Sequence, residues 1–189
     1  MRLRLRLNTM MRMEPSDEIL AKAASEGDRS AFGELAARVY DRQYRLAFRL
    51  TGRKDEAEDI AQEICMTLPA RLRGWRGEGK LTTWLYRITV NAVHDRHRRH
   101  ASFARAAAGW GEWEHNRRAD AIETTERRKW LELAMNALTP PELRDTLLLM
   151  LDGLGHAEIA EVLGVSPGTI SWRISEAKKK LRAMKDEAA

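Results

Sequence analysis

The sequence predicts an all-α fold with two small helical domains joined by a flexible linker. Apolar residues recur at helical spacing through residues 16–100 and again through 125–186, and no segment alternates with the period of two that a strand requires. Residues 101–124 lose the helical period and mix Ala, Gly and charge, which is typical of a domain boundary. A chain of 189 residues can bury two small cores. We expect residues 1–15 to form a disordered N-terminal tail.

Capping residues place the first two helices. Ser16 or Asp17 can cap the first helix, and Asp28 can cap a longer second helix that continues through Leu50. Thr51 and Gly52 then close the second helix. We expect its apolar residues to form one buried face: Phe32, Leu35, Ala36, Val39, Tyr40, Leu46 and Phe48.

The third predicted helix, residues 55–71, carries an acidic surface. Ile60, Ile64 and Leu68 form its buried side, and acidic side chains near its start are favourable beside the positive end of the helix dipole. The chain has 33 Lys and Arg against 28 Asp and Glu, but acidic residues crowd this helix while basic ones crowd 96–99 and 178–182. This separation suggests one basic protein partner and one nucleic acid, although a merely solvated acidic face would show the same pattern.

A fourth predicted helix, which runs on from Trp84, has an apolar side and a polar stripe. The apolar side consists of Leu85, Tyr86, Ile88, Val90, Ala92 and Val93. The polar stripe, spaced i, i+4, i+7 and i+11, consists of Arg87, Asn91, His94 and Arg98. Beyond Asp95 the helix becomes basic all round, with Arg99 among the cations. Such a helix is expected to lie against a polyanion.

The glycine-rich loop before this helix interleaves aromatic and basic residues. Trp75 and Trp84 lie beside Arg76 and Lys80. This combination suits unpaired nucleotides, because bases stack on aromatic faces and phosphates attract cations. We assign Tyr86 to the core, while the two tryptophans are compatible with either base contact or core packing.

The second domain carries the signature of a helix-turn-helix. Thr139 and Glu142 resemble a capping box with prolines between them. Ala160, Gly164 and Ile170 have the spacing at which a small residue lets two helices approach and a glycine turns the chain between them. On the last helix the core side is Ile170, Ile174, Ala177 and Leu181, and the outer candidates for DNA contact are Ser166, Thr169, Ser171, Trp172, Arg173, Ser175, Glu176, Lys178 and Lys179.

Several classes of protein do not fit the sequence. Cys65 is the only cysteine, which excludes an intrachain disulfide and a cysteine-rich zinc site and fits a reducing cytoplasm. No apolar run approaches the roughly 20 residues that span a bilayer, so we expect no membrane insertion. The opening MRLRLRLNTMMRM lacks the apolar region of a secretory signal. Besides Met1, the residues Met10, Met11 and Met13 offer alternative starts.

Two short segments resemble a known family. Trp84–Ile88 followed by Asn91, together with the upstream acidic segment Glu56–Glu63, is similar to the promoter-opening region of extracytoplasmic-function (ECF) sigma factors of the sigma-70 family. The resemblance covers about 28–183. It implies a cytoplasmic, non-enzymatic subunit that binds core RNA polymerase and directs promoter recognition, −10 melting and transcription initiation.

The resemblance also implies roles for individual residues. Residues 16–100 would be region 2 and residues 125–186 region 4, whose helix-turn-helix recognises the duplex −35 element. The residues implied in docking the polymerase beta-prime subunit are Asp55, Glu56, Asp59, Gln62 and Glu63. Those implied in holding the single-stranded −10 element are Trp75, Arg76, Lys80, Thr83, Trp84, Arg87, Asn91, His94, Arg98 and Arg99. Family members usually carry more Arg or Lys where this chain has Ser171 and Trp172, so the −35 sequence cannot be inferred.

The implied partners are core RNA polymerase, through its beta-prime and beta subunits, promoter DNA and an anti-sigma protein, with no cofactor.

Two other interpretations compete with this one. His94, His97 and His100 recur every three residues near Asp95 and could ligate a metal, but the neighbouring arginines repel a cation. Residues 126–186 alone would also fit a stand-alone helix-turn-helix regulator, which would have no use for a stacking loop and an acidic docking helix.

Overall fold

The computed structural model describes residues 14–75, 77–107, 133–135 and 137–187, and every regular element in these ranges is a helix. The predicted all-α class is therefore confirmed. The helices named in this article are α1 (Asp17–Ser25), α2 (Arg29–Thr51), α3 (Lys54–Leu72), α4 (Leu81–Ala107), α5 (Pro141–Leu151), α6 (His156–Leu163) and α7 (Pro167–Glu187). Most of the predicted linker, most of the predicted tail, and Arg76 lie outside the described residues.

The predicted capping residues begin and end the first helices. The Ser16 side chain accepts a hydrogen bond from the Ile19 N–H at the start of α1. Asp28 caps α2 by accepting from the N–H groups of Ser30 and Ala31 at 2.8 and 3.0 Å. Gly52 ends α2 with φ of 71°, a left-handed conformation that glycine adopts without steric cost.

Helices α1 to α4 form the first bundle, with α2 packed most extensively on α3. Ile60, Ile64 and Leu68 are buried as predicted. Its core also holds one polar pair, because the Thr89 hydroxyl on α4 bonds the buried Gln43 side chain on α2. Because both residues are polar, the spacing of apolar residues in the sequence could not predict that they are buried.

Three details of the first domain differ from the prediction. Phe48 is 39% exposed and stacks on Tyr44 with ring centroids 6.2 Å apart, because it lies two residues from both Leu46 and Leu50 and so points to the opposite side of the helix. The other two differences concern the ends of α4. This helix begins at Leu81 rather than Trp84, and it continues past residue 100 to Ala107, into the predicted linker. Tyr86, at 6% exposure, belongs to the core as predicted.

The second domain contains the predicted helix-turn-helix. Ala160 is 4% exposed between α6 and α7, and Gly164 turns the chain with φ of 66°. Ser166 caps α7 by accepting from the Thr169 N–H at 3.1 Å. The predicted Thr139 capping box is wrong: Pro140 is the N-cap of α5, no side chain caps it, and Thr139 lies one residue too early.

The two halves of the described chain pack on each other. Helix α4 lies against α6, and Ile159, Ala160 and Val162 join the same buried cluster as Leu85 and Val90. A second contact links α2 to the second domain, where the guanidinium of Arg144 donates to the Leu50 carbonyl at 2.7 Å. Arg49 also forms an ion pair with Asp152. The face of α4 that the sequence predicts for DNA therefore lies close to the helix-turn-helix.

Candidate nucleic-acid interface

The polar stripe forms a continuous row along α4. Arg87, Asn91 and Arg98 are exposed, while His94 is partly buried. The helix holds the row outward because Leu85, Val90 and Val93 bury the opposite side in the core. Arg98 is tethered to Asp95 by an ion pair one turn away, which fixes the guanidinium near the end of the row.

The loop that leads into α4 brings two predicted tryptophans together. The rings of Trp75 and Trp84 are tilted at 42° with centroids 6.4 Å apart, and both pack partly against the core. The Trp75 indole N–H is buried without a hydrogen-bond partner among the described residues. Gly77 and Gly79 adopt positive φ of 74° and 77°, so the turn between the tryptophans needs glycine at these positions. The two rings form an aromatic pair at one end of the polar stripe.

The second domain contacts the stripe and the loop with carboxylates. Lys80 Nζ lies 2.7 Å from Glu158 Oε1, and His94 Nε2 lies 2.7 Å from Asp145 Oδ2. Between these pairs runs a groove of about 190 Å³ with walls from α4 and the end of α6. Its lining residues are Arg87, Val90, Asn91, His94, Val162, Leu163 and Gly164.

The two contacts shift the pKa values of His94, Lys80 and Glu158. The hydrogen bond to Asp145 raises the pKa of His94 above its ordinary value, although burial and the Arg98 cation oppose the shift. The hydrogen bond between Lys80 and Glu158 lowers the pKa of the carboxyl and raises that of the ammonium. The contacts therefore favour the charged forms of His94, Lys80 and Glu158.

The acidic face of α3 is largely open. Asp55, Asp59, Gln62 and Glu63 are exposed, while the Glu56 carboxylate turns inward toward Arg53. Two carboxylates of this face form ion pairs with basic residues of the same domain. Arg53 bonds Asp55 at 2.7 Å and lowers the pKa of that carboxyl. Arg96 of α4 lies 3.5 Å from Asp59.

Helix α7 presents a broad outer surface. Ser171, Ser175, Lys178 and Lys179 are exposed, and Trp172 is 60% exposed at the N-terminal half of the helix. Arg173, Glu176 and Thr169 are partly buried, and the Ser166 hydroxyl is engaged in the helix cap. The basic end of this surface borders a groove of about 480 Å³ lined by Ser175, Lys178, Lys179, Arg182, Ala183 and Asp186.

One predicted site residue does not lie with the others. Thr83 is 3% exposed, because it lies on the buried side of the first turn of α4. The histidine cluster that could have ligated a metal is also divided: His94 bonds Asp145, while His100 faces Glu56 at 3.8 Å. Within the described ranges, no group of three His, Cys, Asp or Glu side chains is placed to hold a metal ion.

Sequence reasoning missed three residues at these surfaces. Met66 on α3 is 82% exposed beside Gln62 and Glu63. Asp145 and Glu158 contact the predicted −10 surface from the other domain. A carboxylate inside the apolar run of α5 was a usable signal for Asp145, since a buried charge needs a partner. No local pattern indicated Glu158, which lies in the first turn of α6.

Comparisons with known proteins identify both halves of the chain. The sigma-70 region 2 family matches residues 35–103, and the sigma-70 region 4 family matches residues 128–181. The chain is 33% identical to the ECF RNA polymerase sigma factor SigE of Mycolicibacterium smegmatis, over 90% of this chain and 69% of SigE. It is 30% identical to SigW of Bacillus subtilis, over 85% of this chain and 92% of SigW.

Solved structures show the same fold. CnrH in complex with the cytosolic domain of CnrY matches 92% of this chain and 99% of CnrH with a TM-score of 0.68 and 25% identity. RpoE of Bartonella quintana in complex with the anti-sigma factor NepR matches 82% of this chain and 96% of RpoE with a TM-score of 0.64 and 21% identity. Together with the curated relatives, these matches show that the chain belongs to the ECF sigma factors of the sigma-70 family, the subunits that direct RNA polymerase to promoters.

Proposed function

We propose that three surfaces of this chain divide the work of promoter recognition. The exposed acidic face of α3 docks core RNA polymerase, the tryptophan pair and polar stripe of α4 hold the melted −10 strand, and the outer face of α7 reads the duplex −35 element. The chain acts in the cytoplasm and catalyses no reaction itself. The arrangement of Trp75 and Trp84 at one end of the Arg87–Asn91 row carries this proposal, because it pairs stacking surfaces with cations along one line.

The docking role rests on charge and exposure. Asp59, Gln62 and Glu63 project from one side of α3, and Met66 continues that side as an exposed apolar group. An apolar side chain within a charged rim is common at protein interfaces, where the charges mainly set orientation and association rate. We assign Met66 to the same docking surface as the three polar residues.

The −35 role rests on the position of α7 as the second helix of the helix-turn-helix. Side chains near the N-terminal half of such a helix reach base edges, while later basic residues meet phosphates. Ser171 and Trp172 lie in the N-terminal half of α7, on the part proposed to reach base edges. Lys178 and Lys179 lie further along the helix, on the part proposed to meet phosphates. The Ser171 hydroxyl already bonds the His156 ring at 3.1 Å, so part of its hydrogen-bonding capacity is committed within the protein.

We further propose that the chain has an inhibitory protein partner of the anti-sigma type. The support comes from relatives: CnrH was solved with the cytosolic domain of CnrY, and RpoE was solved with the anti-sigma factor NepR. Affinity capture of the tagged chain from its native cells, followed by mass spectrometry, tests this proposal. Recovery of polymerase subunits alone would contradict it.

Reconstitution with core RNA polymerase tests the main proposal. Core enzyme mixed with this chain should start transcription at new positions on genomic DNA, and Glu63→Lys on α3 should lower assembly of the complex. Glu18→Lys, an equally exposed reversal on α1, is the matched control and should assemble normally. Unchanged start sites with the wild-type chain would contradict the proposed function, and equal loss in both variants would contradict the docking surface.

A further inference from the structure

The N-terminal half of α7 presents one large apolar side chain to solvent. Trp172 is 60% exposed, whereas Ile170 and Ile174, two residues to either side of it, are buried and hold the tryptophan on the opposite face of the helix. A single exposed apolar residue has no assigned role by itself. The neighbours of Trp172 on this face, however, restrict how the face can read DNA.

The hydroxyl groups around Trp172 are engaged within the protein. The Ser171 hydroxyl donates to the Pro167 carbonyl at 3.2 Å and lies 3.1 Å from the His156 ring nitrogen Nδ1. The Ser166 and Thr169 hydroxyls bond each other at 2.9 Å, and Ser166 also caps the helix. Because a hydroxyl has one hydrogen to donate, Ser171 has none left for a base.

The other exposed groups in this half of the helix do not distinguish base pairs. Within 167–177 the exposed residues are Pro167, Gly168, Ser171, Trp172 and Ser175. Proline and glycine offer no polar side chain, and the hydroxyl of Ser175 can donate or accept and so bonds more than one kind of base. Trp172 is therefore the exposed side chain of this half that can select a base.

The chemistry of an indole matches the major-groove edge of thymine. Thymine presents the O4 acceptor beside a C5 methyl group, and it is the only one of the four bases with an apolar group in the major groove. Trp172 offers an apolar ring for the methyl group and a single N–H donor for an acceptor. Cytosine presents an amino donor, to which the indole has no acceptor to offer.

The surroundings of Trp172 leave room for a DNA groove. Gly168 lies one turn earlier on the same face, on the side toward which helical side chains lean. A Cβ added at Gly168 would meet only the Ser166 hydroxyl, at 3.7 Å, so this side is open. Lys179 lies seven residues after Trp172, about two turns along the same face, where a cation can meet a phosphate of the same duplex.

We propose that Trp172 selects a thymine in the −35 element by contact with its methyl group. The inference rests on the proposed function, which assigns the −35 duplex to α7. It adds a specificity-determining residue and a base preference to that assignment. The exposed lysines Lys178 and Lys179 supply affinity through phosphates, and the indole supplies sequence discrimination through an apolar contact.

Replacement of thymine by deoxyuridine tests the methyl contact. Holoenzyme is reconstituted from core polymerase and the full-length chain, and promoter duplexes are taken from its mapped start sites. Each −35 thymine is replaced in turn by deoxyuridine, which lacks the methyl group but keeps O4 and the pairing with adenine. At one position the wild-type holoenzyme should lose about fourfold in affinity, the equivalent of one methyl group no longer buried. Fluorescence anisotropy of labelled duplexes measures this loss.

Three variants assign the methyl contact to its residue. Trp172→Ala should bind the thymine promoter more weakly and should bind thymine and deoxyuridine equally at that position. Trp172→Phe keeps an apolar ring without the indole N–H and should retain the preference for the methyl group. Ile19→Ala removes an equally exposed apolar side chain from α1, where Ile19 is 61% exposed, and should behave as the wild type. Circular dichroism checks that the variants remain helical.

Several outcomes would overturn the inference. Equal binding of thymine and deoxyuridine by the wild type at every −35 position is one, and −35 elements without thymine are another. A deoxyuridine cost that persists in Trp172→Ala would place the methyl contact on a different residue. Unchanged promoter affinity in Trp172→Ala, together with loss of a captured inhibitory protein, would assign this face to a protein partner instead.

The start-site assay separates failure of this inference from failure of the proposed function. If wild-type holoenzyme redirects initiation but shows no methyl dependence that requires Trp172, the contact is overturned and the function stands. If the wild-type chain never redirects core polymerase, the proposed function fails, and the contact fails with it.

Discussion

The two candidate DNA surfaces of this sigma factor differ in accessibility although they belong to one chain. The outer face of α7 is open, with Trp172 60% exposed and Lys178 and Lys179 in solvent. The stripe of α4 instead borders the helix-turn-helix, where His94 bonds Asp145, and Lys80 of the preceding loop bonds Glu158. The candidate duplex surface thus makes no contact with the first domain among the described residues, whereas the candidate surface for melted DNA is shared with the second domain.

The largest effect is expected from weakening the core that joins the two domains. Ile159 is fully buried on α6 and packs in the cluster that includes Leu85 of α4. Ile159→Ala should lower the free energy of unfolding by about 2–5 kcal/mol through lost burial and a residual cavity. Urea denaturation followed by circular dichroism measures this change. The control Leu133→Ala, at a 62% exposed position, should cost far less, and equal costs would contradict the shared core.

Asn91→Ala tests whether the stripe of α4 reads bases. The exposed amide lies mid-stripe and can bond a base edge, so its loss should cost about 1–3 kcal/mol at some −10 sequences and little at others. Permanganate reactivity of unpaired thymines in holoenzyme–promoter complexes reports the opening. Arg45→Ala, an exposed change on α2, serves as control. A uniform loss across all promoters would rule out base reading by Asn91.

Charge removal separates the two surfaces by their salt dependence. Arg98→Ala with Arg99→Ala should weaken holoenzyme complexes at all sequences and reduce the slope of log affinity against log salt by about 1.4, as expected for two contacts to single-stranded phosphate. Lys178→Ala with Lys179→Ala on α7 should reduce it by about 1.8, because duplex DNA releases more counterion per contact. Filter binding over a salt series gives both slopes, and an unchanged slope would exclude phosphate contact for that pair.

A smaller effect should follow pH. Asp145 raises the pKa of His94 in the folded chain, so the pair contributes its full stability below the ordinary histidine pKa and loses it as pH rises through the raised value. The other charged groups that act on His94 are Glu142 of α5, which supports the shift, and Arg98 of α4, which opposes it. Partial desolvation lowers the pKa of the adjacent His97, which gives the opposite dependence.

Urea unfolding of wild type and His94→Gln across this pH range isolates the contribution of the pair. The difference in unfolding free energy between the two should be largest at low pH and shrink as pH rises. Arg45→Gln, at an exposed position of α2, is the control and should show no such dependence on pH. A difference that grows with pH would contradict the assigned sign.

Local rules predicted much of the fold and the composition of each surface. Ser16, Asp28 and Gly164 marked helix ends correctly because caps and left-handed turns depend on neighbouring residues only. Phe48 was placed inside by its apolar character, although its position on the helix turns it outward. Thr89 and Gln43 are polar yet buried, and the Thr89 hydroxyl donates to the Gln43 side-chain oxygen across two helices, although the Gln43 amide nitrogen has no partner among the described residues.

Contacts between domains could not be predicted in the same way. Asp145 and Glu158 lie 51 and 78 residues from their partners in the sequence, and no period or spacing connects residues so far apart. The family resemblance supplied the order of the regions and the role expected of α4, but a list of site residues does not say which residues of the other domain contact them. The contacts of Asp145 and Glu158 became visible only when both domains were placed together.

Fluorescence energy transfer between the two domains tests most directly the claim that α4 holds the −10 strand while α7 reads the −35 duplex. Donor and acceptor dyes at Glu78→Cys and Glu161→Cys, in a Cys65→Ser background, report the separation of the loop before α4 from α6, where Glu161 now approaches Gly79. Transfer should be high in the isolated chain and fall to near background when core polymerase and promoter DNA are added. The same high transfer in an active promoter complex would contradict the account.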